Sequence, residues 1–230
     1  MPAARIDDAL ARRRARARRI AGLYAVTPDL ADTADLTARV TAALAGGAAA
    51  IQYRNKVADV ALRQAQAQAL ARVHALRGGV LIINDHAALA AAVGADGVHV
   101  GEDDASIVAA REIVGPDRLV GASCYNDLDR ARAAVAAGAD YIAFGSFFAS
   151  TVKPNARRAE LELLAAARSL EVPVVAIGGI TADNAPSLVG AGADAVAVIT
   201  AVFDAPDVEA AARAIAVRFP SSTGNVASVH

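Results

Sequence analysis

Cysteine is almost missing from this chain. Cys124 stands alone in 230 residues, which excludes an intrachain disulfide and a cysteine-rich metal site. A lone thiol fits a reducing compartment, and a cytoplasmic setting is expected. No apolar run reaches the roughly 18 residues that a membrane span needs. A dense Arg cluster runs from Arg12 to Arg19, but no apolar stretch follows it, so a secretory signal is not expected. An excess of either charge is also lacking: the formal net charge of −1 gives no global pull toward nucleic acid or an anionic membrane. Any phosphate site must therefore come from local placement of basic groups. Aromatic residues are few, and much of the apolar content is Ala, which favours helix and lets helices lie close to a sheet. Long polar tracts are missing too, so a sizeable core can form and disorder is expected only near the ends.

What is present is a repeat of short β-rich runs alternating with Ala-rich stretches. The pattern predicts strands at Leu23–Val26, Ala50–Arg54, Val80–Asn84, Gly97–Val100, Leu119–Ala122, Tyr141–Phe144, Val174–Ile177 and Ala195–Ile199. Most are nearly continuous apolar runs, as expected of strands buried on both faces. Gly94-Ala95-Asp96, Gly138-Ala139-Asp140 and Gly192-Ala193-Asp194 each close a helical stretch just before a strand. Glycine there takes the left-handed conformation that ends a helix. Eight strand–helix units with short connections predict parallel strands and right-handed crossovers, hence a single (β/α)8 TIM barrel. A doubly wound open sheet is the alternative. The barrel is expected over residues 22–219, with an N-terminal basic helical extension over 1–21 and a flexible tail over 220–230. The Arg-rich face of the extension reads as solvated.

Chemistry in such a barrel gathers at the carboxyl ends of the strands, and the unusual polar residues sit there. Side chains two apart on a strand share a face, so Gln52, Arg54 and Lys56 form an anion clamp or else a solvated outer face. Asn84-Asp85 follows strand three; the acid is either a helix N-cap or a functional group. Strand four ends at Glu102, Asp103 and Asp104, carboxylates that suit Mg²⁺ or favour a helix N-terminus. His99 reads as a packed histidine, and Ser123 as a donor to a ligand oxygen. The long loop Ser146–Asn155 carries Ser150, Thr151 and Lys153, donors suited to phosphate. Gly178-Gly179 after strand seven, with Thr200 after strand eight, matches the usual place of a barrel's phosphate site.

In this order and spacing, Gln52-x-Arg54-x-Lys56, Asn84-Asp85, the run from Gly97 to Gly101 closing at Asp104, Ser123, Lys153, Gly178-Gly179-Ile180-Thr181 and Val198-Ile199-Thr200 resemble the thiamine phosphate synthase family. The resemblance spans about Gly22 to Asp207. It implies an enzyme that joins an aminopyrimidine methyl diphosphate to a thiazole phosphate, or its carboxylated form, and releases diphosphate. By the same resemblance Gln52, Tyr53, Arg54, Asn55, Lys56, Asn84, Ser123 and Lys153 bind the pyrimidine diphosphate. Asp85 and Asp104 hold Mg²⁺, and Ser150, Thr151, Val152, Gly179, Ile199 and Thr200 bind the thiazole phosphate. No acid/base residue or nucleophile is implied. The chain departs from the family at Val152, where a second hydroxyl is usual, at Glu102, where Gln is usual, and at Thr200, where Ser is usual. The expected partners are small phosphorylated substrates, with no nucleic acid and no membrane; homo-oligomer formation is compatible with the sequence. A thiazole tautomerase and a non-catalytic phosphate sensor on the same barrel are the rival readings.

Overall fold

The computed structural model describes residues 3–101, 106–149 and 158–220. Eight parallel strands close on themselves, each paired with its sequence neighbour, and β8 returns to β1. They are β1 (Gly22–Val26), β2 (Ala48–Tyr53), β3 (Val80–Asn84), β4 (Gly97–Val100), β5 (Leu119–Tyr125), β6 (Tyr141–Gly145), β7 (Val174–Ile177) and β8 (Ala195–Val198). Around them run α1 (Ala3–Ala17), α2 (Thr33–Ala45), α3 (Val60–Arg77), α4 (Ala87–Val93), α5 (Ile107–Val114), α6 (Leu128–Ala136), α7 (Glu162–Ala167), α8 (Ala185–Ala191), α9 (Thr200–Phe203) and α10 (Val208–Ala216). The closed barrel is thus the architecture, and the open sheet is excluded.

The apolar runs have a simple cause. Alternate residues of each strand point into two separate cores. Tyr24, Ala50, Val80, Ile82, Leu119, Tyr141, Val175 and Ala195 fill the barrel. Leu23, Ile51, Leu81, Val98, Val120, Ile142 and Val196 pack outward under the helices. Both faces leave water, so no strand needs a polar stripe. Space inside is shared between large and small residues. A Cβ on Gly121 would lie 2.0 Å from the Tyr141 ring, so this glycine makes room for the tyrosine.

The three Gly-Ala-Asp echoes do one job. In each, the glycine has a positive φ and the alanine N–H returns to the preceding helix. The aspartate then exchanges two bonds with the preceding strand. Asp96 N–H donates to Leu81 O (2.9 Å) while its Oδ2 accepts from Leu81 N–H (2.9 Å). Asp140 does the same with Val120, and Asp194 with Val174.

Of the six arginines from Arg12 to Arg19, Arg12, Arg14, Arg18 and Arg19 are exposed, as a solvated basic face requires, while Arg13 and Arg16 are half-buried against the barrel. Ala17 and Ile20 join the inner core from below. Arg13 Nε lies 2.9 Å from Asp140 and Arg16 Nε 3.4 Å from Asp96, while Arg12 meets Asp117 at 2.9 Å. Arg13 also donates to Pro116 O (2.7 Å) and Arg16 to Asp117 O (2.8 Å). The cationic stripe therefore grips loops that enter β4, β5 and β6, at the end of the barrel away from the strands' carboxyl termini. Arg111 joins Arg13 on Asp140, whose side chain is only 6% exposed.

Candidate active site

Because all eight strands run the same way round a closed sheet, every residue at a carboxyl end shares one rim. Gln52 is the last inward residue of β2 and is 6% exposed. The next residues are fixed by β1. Thr27 Oγ1 accepts from Arg54 N–H (2.9 Å) and donates to Arg54 O (2.9 Å). Asp29 Oδ1 accepts from Lys56 N–H (2.8 Å) and lies 3.3 Å from Arg54 Nη1. Arg54 is half-buried and Lys56 exposed, so the two cations stand at the mouth as expected.

Tyr53 and Asn55 also line the mouth, and their side chains are tied to α3. Tyr53 Oη donates to Gln66 Oε1 of α3 (2.8 Å), and Asn55 Nδ2 donates to the same oxygen (3.0 Å) and to Leu30 O (2.7 Å). Asn55 Oδ1 accepts from Ala58 N–H (3.1 Å) and caps the turn into α3. Burial pushes the Tyr53 phenol up to about 12, so it remains a neutral donor. These side chains hold the loop that presents Arg54 and Lys56.

Next to that loop, β3 ends in Asn84 and Asp85. Asp85 has a left-handed backbone, φ 62°, and its N–H donates to His99 O (2.8 Å). Asn84 Nδ2 donates to Asp85 Oδ2 (2.6 Å), which orients the carboxylate. The N-cap reading of Asp85 fails, because His86 occupies that position of α4 and makes no side-chain cap bond. Ser106 caps α5, and Glu102 and Asp103 lie outside the described residues. Tyr53, Arg54, Asn55, Lys56, Arg63, Ile83, Asn84, Asp85 and His86 line a cleft of about 200 Å³. Arg63 and Asp29 are the functional candidates that strand-end reasoning missed. Both lie off the strands, in α3 and in the loop after β1.

Across the rim, Ser123 sits inward on β5, where a register irregularity between Ser123 and Tyr125 extends the strand past its predicted end. Its Oγ lies 2.9 Å from His99 Nε2. Cys124, the next residue, faces outward and is fully buried. Burial pushes its thiol up to about 12, which leaves no thiolate for nucleophilic chemistry.

The β7 and β8 ends complete the circle. Gly178 and Gly179 both have positive φ, 109° and 64°, and a Cβ on Gly179 would fall 2.2 Å from Ala149 O. Asn184 braces the turn by donating to Gly179 O (3.0 Å) and accepting from Thr181 N–H (2.8 Å). Ile199 is half-buried and Thr200, at the start of α9, is exposed. Gln52, Arg54, Lys56, Asn84, Asp85, Ser123, Gly179, Ile199 and Thr200 therefore share one end of the barrel. Asp104, Ser150, Thr151, Val152 and Lys153 lie outside the described residues. Among the described residues no group of three or more His, Cys, Asp or Glu side chains is placed to hold a metal, and no helix is long and apolar enough to cross a membrane.

Comparison with known proteins now adds to the geometry. A family model described as thiamine monophosphate synthase matches residues 23–202. A thiamine-phosphate synthase of Thiobacillus denitrificans is 60% identical over 192 residues, covering 83% of this chain and 91% of that protein. One from Methylobacillus flagellatus is 55% identical over 194 residues, covering 84% of this chain and 93% of that protein. A solved thiamine phosphate pyrophosphorylase from Pyrococcus furiosus superposes with a TM-score of 0.78 at 37% identity, covering 87% of this chain and 96% of the other.

Proposed function

The chain belongs to the thiamine monophosphate synthase family, and from that premise we propose how its barrel mouth carries out the condensation. The reaction joins an aminopyrimidine methyl diphosphate to a thiazole phosphate, giving thiamine phosphate and diphosphate. The observation that supports this reading most is the cleft where Arg54 and Lys56 from the β2 loop stand beside Asn84 and Asp85 from β3. Cations next to a carboxylate suit a diphosphate that arrives with a divalent metal.

The chemistry is a dissociative substitution. The bond between the pyrimidine methylene carbon and the diphosphate oxygen breaks, and its electron pair leaves with the diphosphate. The electron-rich aminopyrimidine ring spreads the positive charge left on the methylene carbon. The thiazole nitrogen then donates its lone pair to that carbon, forming the new C–N bond. Charge grows on the departing diphosphate, and Arg54 and Lys56 face it. Arg54 supplies a planar fork and Lys56 a mobile point charge. Asp29 and Thr27 fix the Arg54 backbone and head group, so little reorganisation is needed as that charge develops. Gln52 and Ser123 line the inner wall where the pyrimidine ring enters. Gly179, with Ile199 and Thr200, takes the thiazole phosphate, using backbone N–H groups that only a residue without Cβ lets approach so closely.

Asp85 suits Mg²⁺ as a hard oxygen donor oriented by Asn84, and with Asp104 it would hold the ion against the diphosphate. Bound there, Mg²⁺ would neutralise charge on the leaving group. The loop of Ser150, Thr151, Val152 and Lys153 belongs to the same proposal through the resemblance: Lys153 toward the diphosphate, the others toward the thiazole phosphate. A cytoplasmic location is also part of it, supported by the lone buried thiol.

The deciding assay incubates the protein with both phosphorylated substrates and Mg²⁺ and measures thiamine phosphate and diphosphate together. Equimolar formation of the two is expected. Isomerisation of the thiazole without diphosphate release would overturn the reading in favour of a tautomerase.

A further inference from the structure

Inside the barrel, four polar side chains form one line. Tyr24 Oη lies 3.0 Å from Tyr141 Oη, Tyr141 Oη 3.1 Å from His99 Nδ1, and His99 Nε2 2.9 Å from Ser123 Oγ. The line begins deep in the inner core, where Tyr24 is 2% and Tyr141 0% exposed, and ends at half-buried Ser123 on the rim. Tyr24 Oη has no hydrogen-bond partner other than Tyr141 among the described residues. Burial also raises both phenols far above their ordinary range, so each keeps its proton.

Proton counting then selects one arrangement. Three contacts need three hydrogens, and every buried hydroxyl hydrogen must find an acceptor. If Tyr24 donates to Tyr141, Tyr141 donates to His99 Nδ1, and Nε2–H donates to Ser123, all three contacts are made. The Ser123 hydrogen is left over, and it sits at the open end. If instead Nδ1 carries the hydrogen, Tyr141 must accept from His99. Either Tyr24 or Tyr141 then keeps a hydrogen with no acceptor in the core. An orphaned buried donor biases the populations by roughly one to two powers of ten.

We infer that the Tyr24–Tyr141 pair fixes His99 as the Nε2–H tautomer, and that His99 is a positioning residue: its Nε2–H occupies one lone pair of Ser123 Oγ and leaves the Ser123 O–H to donate to the ligand in the barrel mouth. A ring nitrogen of the aminopyrimidine or a diphosphate oxygen is the acceptor that O–H meets. This assignment of Ser123 to the pyrimidine substrate rests on the function proposed above, whereas the tautomer does not.

The experiment has two arms. In the first, the full chain is labelled with ¹⁵N-histidine and long-range proton–nitrogen spectra are recorded, with His99→Gln assigning the resonance. A single Nε2–H tautomer is expected for His99, and Tyr141→Phe should convert it into a mixture while keeping the ring that packs over Gly121. A wild-type Nδ1–H tautomer or an imidazolium at neutral pH overturns the inference, as does a Tyr141→Phe spectrum identical to wild type. In the second arm, turnover is measured for Tyr141→Phe, Ser123→Ala and the double variant. Tyr141→Phe should lower kcat about tenfold in the wild-type background and by less than twofold once Ser123 is gone. Equal effects in both backgrounds would show that Tyr141 does not act through Ser123. Absence of turnover in the wild-type protein would refute the proposed function, while the spectra still decide the tautomer.

Discussion

Gln66 is where fold and site meet most directly, and replacing it separates two kinds of polar loss. The side chain is fully buried. Its Oε1 accepts from Tyr53 Oη and Asn55 Nδ2, and its Nε2 donates to Leu30 O at 2.8 Å. Gln66→Leu keeps most of the volume but strands the Tyr53 hydroxyl in an apolar wall. Asn55 Nδ2 keeps Leu30 O for one hydrogen but loses the acceptor of the other, so the Tyr53 hydroxyl and one Asn55 N–H both lose their partner. An orphaned buried hydroxyl costs about 1–3 kcal/mol and a lost ordinary bond about 1 kcal/mol, so roughly 2–4 kcal/mol is expected in total. Tyr53→Phe removes a donor from an oxygen that keeps Asn55, and should cost only about 1 kcal/mol. The double variant no longer strands the hydroxyl and should be more stable than the sum of the single losses implies. Urea unfolding followed by far-UV circular dichroism gives all four stabilities. The Gln66→Leu enzyme should also show a higher KM for the pyrimidine diphosphate, because the loop carrying Arg54 and Lys56 loses a tether. Strictly additive losses, or a Gln66→Leu variant no less stable than Tyr53→Phe, would refute the reasoning.

Asp140→Ala should destabilise the protein by roughly 3–5 kcal/mol, since it leaves Arg13 and Arg111 and the Val120 N–H without their shared acceptor; thermal unfolding should show a fall of about 6–20 °C. Burial lowers the His74 pKa, and its Nε2 has no partner. The folded state therefore binds fewer protons there than the unfolded state. Stability contributed by the neutral ring is present above the unfolded pKa of about 6.5 and is lost as pH falls from there through the depressed folded value. Urea midpoints should drop over that range, and His74→Gln should flatten the slope. Asp85→Asn should lower kcat by at least a hundredfold at limiting Mg²⁺, with partial recovery at high Mg²⁺ and an unchanged melting temperature. A variant equally active at every Mg²⁺ concentration would remove Asp85 from the metal site.

Three strands, Val80–Asn84, Gly97–Val100 and Val174–Ile177, match the sequence expectation residue for residue, because short apolar runs bounded by turn residues have sharp limits. The rim was legible for a related reason: polar residues that end such runs have few other places to go. The tie of Tyr53 and Asn55 to Gln66 was not legible, because strand alternation says nothing about a partner arriving from the next helix. Gln66 is 13 and 11 residues further on, in a stretch with no distinguishing pattern. The Arg cluster was read correctly as largely solvated, but the pairing of Arg13 and Arg16 with the barrel floor was not legible. Arg13 and Asp140 lie 127 residues apart, and one-dimensional charge counting cannot pair them. His99 was correctly expected to be packed. Its line to Tyr141 and Tyr24 depends on inward positions of three separate strands meeting on the barrel axis, which only closure brings about.

The three aspartates that lock strand entries, together with the arginines of α1, divide labour along the barrel axis. Cohesion at the floor lies in bonds between backbone amides and carboxylates that take no part in catalysis. The mouth, where substrates enter, is held by a separate set of side chains, among them Thr27, Asp29, Gln66 and Asn184. Sites well separated along this axis share no partners, so changes at the two ends should combine independently. Strengthening the floor thus offers a way to tolerate destabilising alterations of the mouth, such as those needed to admit a differently substituted thiazole, without redesigning the chemistry itself.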